Sequence, residues 1–137
     1  MEGMTDKNET PPDIAEIDAL ARAAMAALPE VFRTEAEKVV LRVEDFASDA
    51  MLSDMEISDP FVLTGLYEGV PLTEKSVLDQ AVQPDAIWLF RRPILDEWIE
   101  RGDIALAALV AHVYVHELAH HFGCSDEDIA SIDEWWR

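Results

Sequence analysis

The stretch IALAALVAHVYV, residues 104–115, is the longest apolar run in the chain, and it continues directly into HELAHHFG. It lacks the ~20 apolar residues that a membrane span needs. With Asp103 before it and Gly123 after it, the segment reads as a single helix from Asp103 to about Phe122. A helix that is apolar nearly all round has no face to offer to water, so it must lie at the centre of the fold. The rest of the chain has to supply cover for it.

The remaining pattern supplies that cover. Residues 1–12 are polar and end in Pro11-Pro12, as expected of a disordered lead-in. A single domain is expected over residues 13–137. Asp13 should start a helix whose stripe is Ile14, Ile17, Leu20, Ala21, Ala24 and Leu28, closed by Pro29. VVLRVEDFA (39–47) and PFVLTGLYEG (60–69) read as strands, while residues 48–59 are acidic and ambiguous. Residues 73–83 form a polar excursion. AIWLFRR (86–92) reads as the clearest strand, stopped by Pro93, with a short helix over 95–101 that ends at Gly102. After Gly123, a last helix is capped by Ser125 or Asp126. The order of helix, strands and then helices gives an α+β domain.

The central helix carries the chemistry. His116 and His120 are four residues apart, so their side chains lie ~40° apart around the axis, one turn above the other. Both imidazoles can reach one ion. Glu117 is turned a further ~100° and flanks that ion instead of binding it. This HExxH arrangement pairs two nitrogen ligands with a carboxylate able to move a proton, as in hydrolysis of peptide bonds by zinc-activated water. A catalytic zinc takes three protein ligands. Asp126, three residues past Gly123, is the candidate for the third, and its position also suits a helix N-cap.

Neighbouring residues have plainer readings. His112 extends the stripe to 112, 116 and 120, but the outer pair is ~12 Å apart along the axis, so packing is favoured over ligation. His121 points ~100° from His120 and should hydrogen-bond or cap. Cys124 reads as small buried filler, and Tyr67 as a core residue whose hydroxyl could instead stabilise an oxyanion. The strand 86–92 could be the edge that pairs with substrate backbone, or an ordinary internal strand.

The run His116-Glu117-Leu118-Ala119-His120-His121-Phe122-Gly123-Cys124-Ser125-Asp126, with LTGLYEGVPLTEKS (63–76) and DAIWLFRRPI (85–94), resembles the minimal zincin-like metallopeptidase family of small bacterial proteins. The resemblance covers residues 30–134. It implies a minimal zincin-like fold: a small mixed sheet against an N-terminal helix and the HExxH helix, then a short C-terminal helix. It also implies Zn2+ held by His116, His120 and Asp126, with Glu117 as general base. The motif lacks the downstream methionine of metzincins, and 11 residues follow Asp126. A shallow, open cleft is expected, suited to peptides or flexible protein segments, or completed by a protein partner. The alternative is a metal-binding, catalytically weak or inactive binding or regulatory module. A structural zinc that also takes His112 or Cys124 is a weaker rival.

Charge narrows the partners. With 29 acidic and 10 basic residues the net charge is −19, which opposes binding to phosphate backbones and anionic lipid. The lone Cys124 and the lack of a secretory signal fit a reducing cytoplasm.

Overall fold

The computed structural model describes residues 10–70 and 84–124. Its elements are α1 (Ile14–Ala26), α2 (Glu30–Ala36), β1 (Val40–Glu44), α3 (Asp49–Asp54), a 3-10 turn (Pro60–Val62), β2 (Gly65–Glu68), β3 (Ala86–Phe90), α4 (Arg91–Arg101) and α5 (Leu106–His121). The fold is α+β, with a three-stranded mixed sheet in the order β1-β3-β2. β1 runs parallel to β3, and β2 antiparallel to it. The expected last helix and the segment 73–83 lie outside the described residues. No helix among the described residues is long and apolar enough to cross a membrane.

α1 starts where the sequence says it should. The Asp13 carboxylate accepts the Glu16 N–H at 2.8 Å, and Glu16 reaches back to the Asp13 N–H. That reciprocal pair satisfies two of the donors that a helix start leaves open. Ile17, Ala21 and Ala24 form its buried face, and the two alanines let it lie close along α5. Arg91 ties down the chain ahead of α1 through the Pro12 carbonyl and the Asp45 carboxylate.

Several expectations need correction. Residues 60–69 do not form one strand. Asp59 accepts the Phe61 N–H, Pro60 sits in a single 3-10 turn, and the strand begins only at Gly65. The strand expected over 86–92 ends at Phe90, and α4 begins at Arg91, four residues ahead of its expected start. Pro93 does not stop anything: it occupies the first helical turn, where its missing N–H would have had no intrahelical partner. α5 begins at Leu106 after Ala105, with no side-chain cap from Asp103. Finally, β3 is the central strand, so the edge reading for residues 86–92 fails. Its apolar run is buried on both faces, which is the mark of an internal strand. α2 and α3 also go beyond the expected elements. α2 lacks an apolar stripe, since Val31 and Phe32 are exposed and only Ala36 is buried.

The sheet separates two apolar layers. On one face, Leu41, Val43, Ile87 and Leu89 meet α1 and α5 in the main core. On the other, Phe90, Leu63 and Ala47 pack with Met51 and Leu52 of α3 and with Leu66 and Trp88. Trp98, like Trp88, is only partly buried, and its indole N–H is held by the Ile104 carbonyl. Trp135 and Trp136 lie outside the described residues.

α5 fulfils its central role, with Leu109, Val110, Val113, Tyr114, Val115 and Leu118 all buried. It passes close to the sheet at Gly65. A Cβ there would stand 2.8 Å from Val113 Cγ1, 3.2 Å from Glu117 Cγ and 3.3 Å from the Trp88 carbonyl. Gly65→Ala should therefore destabilise the fold by ~1–3 kcal/mol through overpacking. Denaturant titration checks this, and Val113→Ala in the same chain should recover part of the loss. An unchanged midpoint for Gly65→Ala would show that the helix has room to retreat.

Candidate active site

The side of α5 left out of the core carries the polar residues. His112, His116, Glu117 and His120 are all partly exposed, in a stripe at spacings of three and four. The His116 and His120 rings lie 5.3 Å apart between centroids, and those of His112 and His116 lie 6.4 Å apart. His116, Glu117 and His120 line one side of a cleft of about 600 Å3, and Met55, Leu63 and Leu66 line another part of it. Gly65 and Tyr67 of β2 contribute to the same lining, as do Gly123 and Cys124 past the helix end. The cleft thus wraps the outer edge of β2.

Glu117 is placed by the close contact with Gly65. Its carboxylate accepts the Tyr67 backbone N–H, which favours the charged form. Burial between helix and strand acts more strongly the other way and raises the carboxyl pKa to about 7. A carboxyl poised near neutrality can both accept and return a proton.

The helix end is built to turn the chain. Gly123 is left-handed at φ 77°, a conformation that costs glycine little. Its N–H bonds the His120 carbonyl at 3.0 Å, and the Cys124 N–H bonds the Ala119 carbonyl at 3.1 Å. These two bonds make a Schellman motif, so α5 stops where the sequence indicates and the chain leaves in a new direction. Asp126, the candidate third ligand, lies outside the described residues. Among those described, no three His, Cys, Asp or Glu side chains converge on one ion. The donors present, two imidazoles with a carboxylate beside them, are of a kind that fits a zinc ion.

His121 is buried, and its role was open in the sequence. Its Nε2 lies 2.9 Å from Glu35 Oε2, and its Nδ1 lies 3.0 Å from Asp85 Oδ2. The Tyr67 hydroxyl is 2.9 Å from the same Nδ1 and donates to the Val70 carbonyl. Burial, reinforced by the Asp85 carboxylate, pushes the Tyr67 hydroxyl pKa well up, so it stays protonated. Tyr67 thus lines the cleft while its hydroxyl is engaged in the interior. Glu35 and Asp85 were not singled out in the sequence, and no local signal marks them.

Comparison with known proteins adds one finding. The family model described as zincin-like metallopeptidase matches residues 36–136, a span that takes in the whole sheet, α5 and Asp126. No curated protein gives a significant match.

The pKa of Glu117 makes a stability prediction for the chelator-treated, metal-free protein. Its folded value, about 7, lies above the ordinary 4.5. The native state therefore holds the proton more tightly than the unfolded chain does. Stability is retained at low pH and lost as pH rises from 4.5 through 7. Glu117→Gln, which stays neutral, should match wild type near pH 4.5 and exceed it by ~1–3 kcal/mol above pH 8. Thermal melts of both proteins across that range check it. A constant difference at every pH would mean that the Glu117 pKa does not change on folding.

Proposed function

This chain belongs to the zincin-like metallopeptidase family, and we propose that it is a zinc-dependent peptidase acting on extended peptide segments. The observation that carries this reading is the Glu117 carboxyl, desolvated against Gly65 and held by the Tyr67 N–H, beside two imidazoles one helical turn apart.

In this reading His116 and His120 each give a ring nitrogen to zinc, and Asp126 gives a carboxylate oxygen. Zinc, when bound, supplies the charge that acidifies water and polarises a peptide carbonyl. Glu117 takes the proton from the attacking water and delivers it to the leaving amine. The Tyr67 N–H keeps the carboxylate aimed during both transfers.

The substrate class follows from β2, the edge strand beside α5. The Phe90 N–H bonds the Thr64 carbonyl, so residues 64, 66 and 68 turn their peptide groups toward β3. The Gly65 N–H and the carbonyls of Gly65 and Tyr67 then face outward along the cleft, while the Tyr67 N–H is taken by Glu117. Backbone pairing to that edge binds peptides with little regard to sequence. Alternate side chains of a strand seated there would fall toward His116 and His120, or onto Met55, Leu63 and Leu66. The cleft is open, as suits a flexible segment.

The deciding experiment combines metal analysis with cleavage of a peptide library. Wild type should carry about one zinc per chain, and Glu117→Gln should keep the zinc while losing ~100-fold or more in cleavage. Asp126→Ala should weaken zinc affinity by ~100-fold, measured against a chromophoric chelator. Bound zinc without cleavage, indistinguishable between wild type and Glu117→Gln, would reduce the protein to a metal-binding module. Unchanged affinity in Asp126→Ala would leave that residue as a helix cap.

A further inference from the structure

We infer that His121 is a positioning residue for Glu117, acting through Tyr67. The inference rests on the peptidase reading for its purpose, but its geometry stands apart from the metal. His121 follows His120 directly and is turned ~100° away from it, off the cleft and into the interior. Only 2% of its side chain is exposed. There it joins three separate pieces of chain: Glu35 of α2, Asp85 ahead of β3, and Tyr67 of β2.

Filling space does not explain such a residue. An imidazole between two carboxylates is an expensive way to pack a core, because each polar atom must find a partner on leaving water. Leucine or phenylalanine would fill the volume without that demand. What an imidazole adds is direction, since its two nitrogens point along fixed, divergent lines.

The line that matters runs through Tyr67, which is held at both ends. Its hydroxyl lies against His121 Nδ1, and its backbone N–H donates to the Glu117 carboxylate. β2 is only four residues long and is paired on one side by β3. Asp85 secures the segment after it, since one carboxylate oxygen accepts the Val70 N–H at 3.3 Å while the other faces His121. His121 therefore fixes the strand from inside, and the strand presents its N–H to Glu117 on the cleft side. One helix turn thus contributes a proposed zinc ligand to the cleft and, at the next residue, the anchor for the partner of the base.

Two substitutions separate the halves of the imidazole. The amide of His121→Asn reaches the place of Nδ1 and keeps the bond to Tyr67 and Asp85. That of His121→Gln reaches the place of Nε2 and keeps only Glu35. Tyr67→Phe removes the hydroxyl link while leaving His121 and both carboxylates in place. In the zinc-loaded full chain, His121→Asn should hold kcat within about 3-fold of wild type, whereas His121→Gln and Tyr67→Phe should lose ~10-fold or more. KM and zinc affinity should stay within about 3-fold in all three. In the metal-free protein, the Tyr67 amide should keep its protection from hydrogen exchange in His121→Asn and lose it in the other two.

If His121→Asn and His121→Gln behave alike in both measurements, the inference is overturned. The same holds if Tyr67→Phe matches wild type, or if zinc affinity falls in step with kcat. A wild type that cleaves no peptide would sink the peptidase reading alone. The Tyr67 amide would then still decide whether His121 governs the partner of Glu117.

Discussion

The site depends on the absence of a side chain at Gly65. α5 meets β2 so closely there that a methyl group would press on Val113, Glu117 and the Trp88 carbonyl together. That approach takes the Glu117 carboxyl partly out of water and brings it to the Tyr67 N–H. With a wider gap the carboxyl would be solvated, its proton affinity would be ordinary, and the strand would give it no donor. Burial and orientation of the base are thus two results of one packing distance.

The same helix satisfies opposing demands through its periodicity. Its apolar residues require cover on most of the circumference, which α1 and the sheet provide. The stripe that remains carries His112, His116, Glu117 and His120, and it opens on the cleft. His121, a single step further, falls back inside. The last turn therefore has an interior side bonded to Glu35, Asp85 and Tyr67 and a cleft side facing the solvent. Gly123 then ends the helix with both closing hydrogen bonds made, so the turn that bears His120 is anchored from within and from beyond.

Much of this was legible in the sequence where the signal is local. The helix start at Asp13, the apolar length of α5, the 116–117–120 spacing and the stops at Gly102 and Gly123 each depend on residues within one or two turns. Elements without a local signature were missed. α2 exposes Val31 and Phe32, so it has no periodicity to read. Pro60 and Pro93 mislead in opposite directions: one marks a 3-10 turn inside an apparent strand, the other sits harmlessly in a helix start. β3 was open between edge and interior, although its unbroken apolar run already favoured the interior. The partners of His121 lie 86, 54 and 36 residues away, and no pattern in a single chain connects positions so far apart. Asp126 remains a reading of the motif, supported by the left-handed turn at Gly123 and by the family match that spans it.

The buried polar cluster shows why a short strand suffices beside a demanding site. Among the described residues, every buried side-chain nitrogen or oxygen has a hydrogen-bond partner. The cluster therefore does not leave the full desolvation penalty of its carboxylates unmet. What it contributes is a preference for one arrangement, because sliding β2 or rotating α5 would break several directional bonds together. A four-residue edge strand has few ladder bonds with which to fix its own position. Tying its tyrosine to an interior histidine steadies that edge, so that the Tyr67 N–H stays on the Glu117 carboxylate.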